Sequence, residues 1–594
     1  MSYAPTTLLR LVDEGLPKNG TGVLAATKRD GRWIETSPAQ FTAAAEHLAM
    51  GLRALGVRRG DRVALHSENS AEWLIADQAT LSLGAVNVPI YCTQPADQIR
   101  YILENSQAVV YIVSTAALHA GVAEALPQIG SLKAVVGIRG AFAPGVTAWS
   151  DVIARGAEAA NAEPGVYAAE RAKAEPEDLA TLIYTSGTTG TPKGVMLTHW
   201  NLASNVLSSL ERMPWDIEGD RGKKILSYLP LSHVFERMLS YLYVHVGYPV
   251  WFIEHIEEMM ADLQTVRPVH FSSVPRLLEK VNAAIHAKPA QLSGAQKAVM
   301  TWGLGLADRF DVEKSLGGLD KVRYALADAL VFKKIRALFG GNLKAITSGG
   351  AALGREVMNF MNAVGIFCGQ GYGLSETSPV IAVYSPGGLR AGSVGTPISG
   401  VEVRTAEDGE ILVRGPNVMK GYFDAPEATA EVMTEDGWFR TGDVGHLDAA
   451  GYLFITDRKK ELLKLSTGKY VAPQPIEGRL AASRFIEQAV VIGNSRQFAT
   501  ALLVVDVAAL RVEFAARGTP LGDGEVLDQP GVRELIAAEV QAVNAALPHW
   551  EQVKKFSLVR RPWSIETGEL TPTMKIKRRV VQERHADEIQ SMYV

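Results

Sequence analysis

Cysteine is nearly absent: Cys92 and Cys368 are the two thiols in 594 residues. So few exclude a disulfide framework and a Cys/His zinc site of the usual spacing, and they suit a reducing compartment. An excess of basic charge is also missing. Sixty Lys and Arg stand against 64 Asp and Glu, a net charge of −4 that gives no reason to expect a nucleic-acid partner. The first residues, "MSYAPTTLLRLVDEG", lack the basic start and apolar core of a secretion signal, so a cytoplasmic location is expected. One uncharged run, "MLSYLYVHVGYPVWFI" at 238–253, falls short of the roughly 20 residues that cross a bilayer, and "VGYP" interrupts it. It reads as a buried helix followed by a buried strand, with contact at a membrane surface as the alternative. There is no internal repeat and no low-complexity tract.

What is present suits a large globular protein: 47% hydrophobic and 21% charged residues, in a chain long enough for two or more domains. Strand-like "DRVALH", "AVNVPIY" and "AVVYIV" alternate with helix-like "NSAEWLIADQATLSLG" and "DQIRYILENS", the rhythm of an α/β fold with largely parallel sheets. Residues 141–178, rich in Ala, Glu, Pro and Gly, read as a looser connection. Residues 280–343 read as helical. "GEILVRGPNVMKGYF" and "GYLFITDRKKELLKLSTGKYVAP" read as hairpin-rich, smaller units, and after "DRKK" the chain reads as a separate α+β unit whose final strand is "KKFSLV". The boundary is placed near Asp457, giving domains 1–456 and 457–594 with a hinge at 457–460.

The stretch "YTSGTTGTPKG", Tyr184 to Gly194, looks like a phosphate loop. It is not the Walker type. Pro192 stands where that pattern needs Gly, Gly194 where it needs a hydroxyl, and the following "VMLTH" reads as a strand instead of a helix. Thr185, Ser186, Thr188 and Thr189 offer hydroxyl donors. Gly187 and Gly190 let backbone N–H groups approach phosphate, and Lys193 adds charge.

This loop, "LPLSHVFER" (229–237), "SGGAAL" (348–353), "GQGYGLSET" (369–377), "WFRTGD" (438–443), "DRKKELLKLSTGK" (457–469) and "ELTPTMKIKRR" (569–579) occur in a fixed order. Together they closely resemble the adenylate-forming superfamily of acyl-CoA synthetases, adenylation domains and luciferases. "LPLSHVFER", the helical insertion and "LTPTMKIKRR" resemble the long-chain fatty acyl-CoA synthetases more narrowly. The resemblance implies an α/β fold, with a large N-terminal domain of βαβ layers plus a small β-barrel-like unit, and a smaller mobile α+β C-terminal domain. It implies ATP, CoA and a fatty acid as substrates, and Mg2+ as cofactor.

It also implies roles. Residues 185–190 with Lys193 would grip the β- and γ-phosphates, and Glu376 with Thr185 would hold Mg2+. Ser375, where the family often has Thr, would contact the α-phosphate. Tyr372 would stack on adenine, with Gln370, Gly371 and the backbone of Gly349, Gly350 and Ala351 lining the base. Asp443 would accept from both ribose hydroxyls, Arg458 would support ribose or phosphate, and Lys460 falls at the hinge position. Lys464 would reach phosphate or adenylate, Gly468 would line a passage too narrow for a side chain, and Tyr470 would cover the adenylate. His233 would shape the acyl or carboxylate site, with a structural histidine as the alternative. Lys575 matches the mobile lysine, with Lys577 two residues on as its competitor. Lys554 and Lys555 are loose candidates for CoA phosphates. Other readings remain: a medium-chain or aryl-acid CoA ligase, an enzyme loading a carrier protein, or a noncatalytic nucleotide-binding protein. Self-association stays open.

Overall fold

The computed structural model describes residues 3–594 apart from 21, 186–191, 385–387, 460, 523 and 572–573. The expected alternation of strands and helices is realised in two large sheets. In the eight-stranded one, Arg62–His66, Val86–Ile90, Ala108–Val113 and Ala134–Gly137 run parallel. "AVVYIV" is buried at every position, as a strand covered on both faces must be. Leu179–Thr185 and Lys193–Thr198 form an antiparallel hairpin on this sheet, with Thr185 opposite Lys193. Strand, loop, strand is therefore the context of the Ser/Thr/Gly loop. The nine-stranded sheet has a parallel centre of Ile225–Ser227, Val250–Phe252, His270–Ser273, Ala345–Ser348 and Phe367–Gly373.

The uncharged run becomes the helix Val234–Val246 and the strand Val250–Phe252. Every residue of 238–253 is buried, so this run presents no face to a membrane. Arg237, on that helix, forms a fully buried ion pair with Asp77 of the helix Ala71–Ser82, at 2.6 and 2.9 Å. Tyr241 and Asn87 donate to the same carboxylate, and the guanidinium lies 5.6 Å from the Trp73 ring centre. These donors satisfy a charge that would be costly to bury alone.

The reading of 141–178 as a loose connection is corrected: it holds the helices Trp149–Ala162 and Val166–Arg171. The first packs on the helix Pro38–Ala54 through facing glycines. A Cβ at Gly156 would lie 1.6 Å from the His47 carbonyl oxygen, and one at Gly51 would lie 2.3 Å from that of Val152. Here the glycines mark close helix packing, not a break. Residues 280–343 are helical as expected, in Pro275–Ala287, Gly294–Ala307 and a continuous helix from Gly318 through Leu338.

The small β unit is open among the described residues: Glu402–Thr405, Glu410–Arg414, Phe439–Leu447 and Leu453–Arg458 form one four-stranded antiparallel sheet. Past it, two apolar clusters drawn only from residues 463–592 form a separate core around the strands Ile486–Ile492, Ala499–Val505 and Val553–Val559. "KKFSLV" falls in Val553–Val559, the last strand among the described residues, as expected, and the helices Arg578–Arg584 and Ala586–Ser591 follow it. No described helix is long and apolar enough to cross a membrane.

Candidate functional site

The two strands of the small sheet that meet at the site pair Asp443 directly with Arg458. Asp443 is nearly inaccessible, and each of its oxygens has one protein donor. Arg458 Nε donates to Oδ1 at 2.9 Å and the Tyr372 hydroxyl to Oδ2 at 2.6 Å. A carboxylate oxygen accepts more than one hydrogen bond, so capacity remains for ribose hydroxyls. Burial first, then the Asp443 charge, raise the Tyr372 phenol well above its ordinary value and keep it a donor.

Glu376 lies in the single turn Ser375–Thr377 after the strand that carries Tyr372. Its Oε1 accepts from the Tyr422 hydroxyl at 2.8 Å. Lys193 Nζ stands 5.2 Å from the centre of the same Tyr422 ring. The segment 419–423 is stitched to both partners: Met419 N–H donates to the Glu376 carbonyl at 2.8 Å and Phe423 N–H to that of Gly194 at 2.7 Å. Thus the end of the Ser/Thr/Gly hairpin and Glu376 are joined through Tyr422. That residue was missed in the sequence, where "MKGYF" offers only an aromatic after a glycine in a hairpin-like stretch. Ser186, Gly187, Thr188, Thr189 and Gly190 lie outside the described residues, as does Lys460.

The residues expected on the adenine side gather around the strand Phe367–Gly373. Gln370 is buried, and its amide is committed to backbone: Oε1 accepts from Leu353 N–H at 2.9 Å and Nε2 donates to the Ser393 carbonyl at 2.8 Å. It therefore helps to shape the 349–353 loop. Gly350 has φ +82°, and a Cβ at Gly349 would come within 3.1 Å of the Phe235 ring. That contact sets the Gly349–Ala351 loop against the "LPLSHVFER" segment. His233 caps the helix Val234–Val246, its Nδ1 accepting from Phe235 N–H at 3.2 Å. Burial, and then the charge of Lys575, lower its pKa to about 4, so the imidazole is neutral near pH 7.

Lys575 comes from the far end of the chain, where Thr571 N–H donates to the Lys575 carbonyl at 2.7 Å, Lys575 N–H donates to the Thr571 hydroxyl at 3.0 Å, and Leu570 bridges Ile576. The charges of Arg458, Asp443, Glu461 and Glu376 all act on its ammonium, although part of the residue faces solvent. Burial and then Arg458 lower its pKa, while the three carboxylates oppose the shift. Its basic neighbours are placed differently. Arg578 binds Glu477 at 2.7 Å and the Val491 carbonyl at 2.8 Å, and Arg579 reaches Glu583 at 3.5 Å.

Lys464, Gly468 and Tyr470 form another hairpin, Leu463–Lys464 with Tyr470–Val471, anchored by Leu463 and Leu465 in the C-terminal core. Lys464 Nζ lies 5.8 Å from the centre of the exposed Tyr470 ring. Gly468 has φ +82°, which favours glycine in the turn, and among the described residues a Cβ there would meet nothing within 4 Å. Lys554 donates to the Gln552 side chain at 2.8 Å, and Lys555 to the Val594 carbonyl at 3.1 Å.

Comparisons with known proteins agree with this geometry. A family model described as AMP-binding enzyme matches residues 19–423, and one described as AMP-binding enzyme C-terminal domain matches 460–594. The chain belongs to the AMP-binding enzyme family. A family relative, the long-chain-fatty-acid–CoA ligase FadD15 of Mycobacterium tuberculosis, is 38% identical over 95% of this chain and 93% of its own. The peroxisomal long chain acyl-CoA synthetase 7 of Arabidopsis thaliana is 34% identical over 93% and 81%. Among solved structures, the adenylation domain of a carboxylate reductase from Mycobacterium chelonae superposes with a TM-score of 0.77 at 23% identity, covering 100% of this chain and 92% of its own. The anthranilate CoA ligase AuaEII, in complex with anthranoyl-AMP, gives 0.72 at 19% identity, covering 98% of each chain. These likenesses establish the AMP-binding fold.

Proposed function

We propose that the protein is an AMP-forming acyl-CoA synthetase that joins a long-chain fatty acid to CoA. The observation that carries the reading is that Tyr372, Asp443, Arg458, Glu376 and Lys575, from four separate motifs, act on one another through hydrogen bonds and charge. Relatives at 34–38% identity over most of the chain bear names for this activity. A carboxylate is a poor acyl donor, so it must first attack the α-phosphorus of ATP and expel pyrophosphate. The thiol of CoA then attacks the acyl-adenylate and AMP leaves.

In this reading Asp443 and Tyr372 orient the nucleotide, and Lys575 offsets the repulsion between the fatty carboxylate and the α-phosphate. His233 has no proton to remove, since a carboxylic acid is already ionised at neutral pH. The donor set fits Mg2+: Glu376 has one oxygen on Tyr422 and a second with no hydrogen bond from a described residue, and Thr185 brings a hydroxyl. Among the described residues no cluster of three or more His, Cys, Asp or Glu is present, which suits an ion taking most of its shell from phosphate and water. Bound there, Mg2+ would neutralise charge on the departing pyrophosphate. The separate core at 463–592 supports a boundary near 457, with the C-terminal domain turning between the two half-reactions.

The test is a panel of carboxylic acids, from short to very long, supplied with ATP, Mg2+ and CoA, with products weighed by mass spectrometry. Acyl-CoA and AMP from long-chain acids are expected. No acyl-CoA from any acid refutes the ligase reading, and a strong preference for aryl or short acids refutes the chain-length assignment.

A further inference from the structure

The helix from Gly318 through Leu338 is apolar on two faces. Its inner face packs on the helix Gly294–Ala307: Ala327, Val331, Phe332 and Ile335 are buried, and the Tyr324 hydroxyl donates to the Leu306 carbonyl at 2.7 Å. Its outer face carries Leu319, Val322, Leu326 and Leu330, which are 78%, 68%, 53% and 41% exposed. Steps of three and four residues put these four on one stripe. Scattered exposed leucines need no explanation, but an aligned stripe points to something that covers it.

Charge selects the cover. Residues 280–344 hold eleven Lys or Arg against five Asp or Glu, a net +6, in a chain whose net charge is −4. The acidic residues on this helix are already answered: Asp320 by Arg323 at 3.2 Å and Asp328 by Arg336 at 2.5 Å. Lys297, Lys321, Lys333 and Lys334 are exposed, and none forms an ion pair with a described residue. A second copy of the chain would bring the same positive charge to the contact. A nucleic acid would leave four aliphatic side chains unused. We propose that this helix docks on an anionic lipid surface, with the stripe in the headgroup region and the lysines against the lipid charge. The buried 238–253 run takes no part in it.

Flotation of the full-length protein with vesicles of phosphatidylcholine, with and without phosphatidylglycerol, tests this without ATP or CoA, so the result is independent of the ligase reading. Binding only to the anionic vesicles, weakened by salt, is expected. Leu319→Asp with Leu326→Asp should lower partition at least tenfold by placing charge in the interface, an order-of-magnitude expectation from the cost of burying a carboxylate. Lys321→Gln, Lys333→Gln and Lys334→Gln should each cost about fivefold at low salt. Both sets should keep the wild-type melting temperature, which checks that they fold. The Gln pair Leu319→Gln and Leu326→Gln serves in place of the aspartates if these melt early. Absence of vesicle binding, or binding that neither set alters, overturns the proposal. So does a dimer in sedimentation that the leucine variants dissolve, which would make the stripe a contact between copies.

Discussion

Single residues at this site hold one another before any nucleotide is considered. Asp443 is gripped by Tyr372 and Arg458, so removing either partner changes how the carboxylate is aimed, whereas removing Asp443 frees two donors at once. Tyr372→Phe should raise the KM for ATP a few-fold and leave kcat nearly unchanged, in keeping with the loss of one hydrogen bond worth about 1 kcal/mol. Asp443→Ala should lower kcat/KM for ATP by about a hundredfold or more, because two charge-assisted contacts are lost. Equal effects in steady-state assays would show that the pair is not organised as described. Lys575→Ala should slow carboxylate-dependent ATP–pyrophosphate exchange by roughly 10²- to 10³-fold, while thioester formation from supplied acyl-AMP falls far less. Parallel loss of both would remove Lys575 from the first half-reaction. At this scale the motifs were legible because phosphate and ribose chemistry restricts the residue types. The commitments of Gln370 and Tyr422 were not, since a hydrogen bond across 17 or 46 positions leaves no local pattern.

At the scale of elements, the helix Val234–Val246 carries a second buried carboxyl besides its ion pair. Glu236 is fully enclosed, and burial raises its pKa to about 7 against the pull of the Ser227 and Ser272 hydroxyls. The folded state therefore keeps a proton that the unfolded chain releases near pH 4.3, and stability falls as pH rises between the two values. Glu236→Gln abolishes that titration. At pH 8 it should unfold at a higher temperature than wild type, by the equivalent of about 1–3 kcal/mol, and the gain should vanish by about pH 4. Thermal melts at the two pH values decide it, and a gain that does not change with pH would place the effect elsewhere. Strands and helices with clear period and caps were legible in the sequence. Residues 149–171 were not, because Ala, Gly and Glu look like a linker until the glycines are seen to admit a neighbouring helix.

At the scale of the whole molecule, the C-terminal unit depends on a carboxylate just ahead of the Lys575 turn. Burial alone would raise the pKa of Glu569. Hydrogen bonds from Thr567 and Arg584, with the Arg561 charge, bring it instead to about 2. Stability from this group is complete above about pH 4.5 and is lost as the pH falls toward 2. Glu569→Gln should lower the melting transition of the C-terminal unit at pH 7 by the equivalent of 1–2 kcal/mol, an order-of-magnitude value that allows for the half-exposed arginines. Its penalty should shrink steadily in melts taken at falling pH, and a constant penalty would contradict the assignment. Overall architecture was legible from the order of motifs. The mutual placement of the two sheets was not, because it rests on side chains far apart in sequence.

That placement has an inheritance of its own. Asp77 and Asn87 lie on one side of the Ser/Thr/Gly loop in the chain, and Arg237 and Tyr241 on the other. A hybrid gene spliced anywhere between codons 88 and 236 would take the acid from one parent and the base from the other. Such crosses can succeed only where both parents speak the same pairing, so the Ser/Thr/Gly loop sits inside a stretch that must be inherited whole.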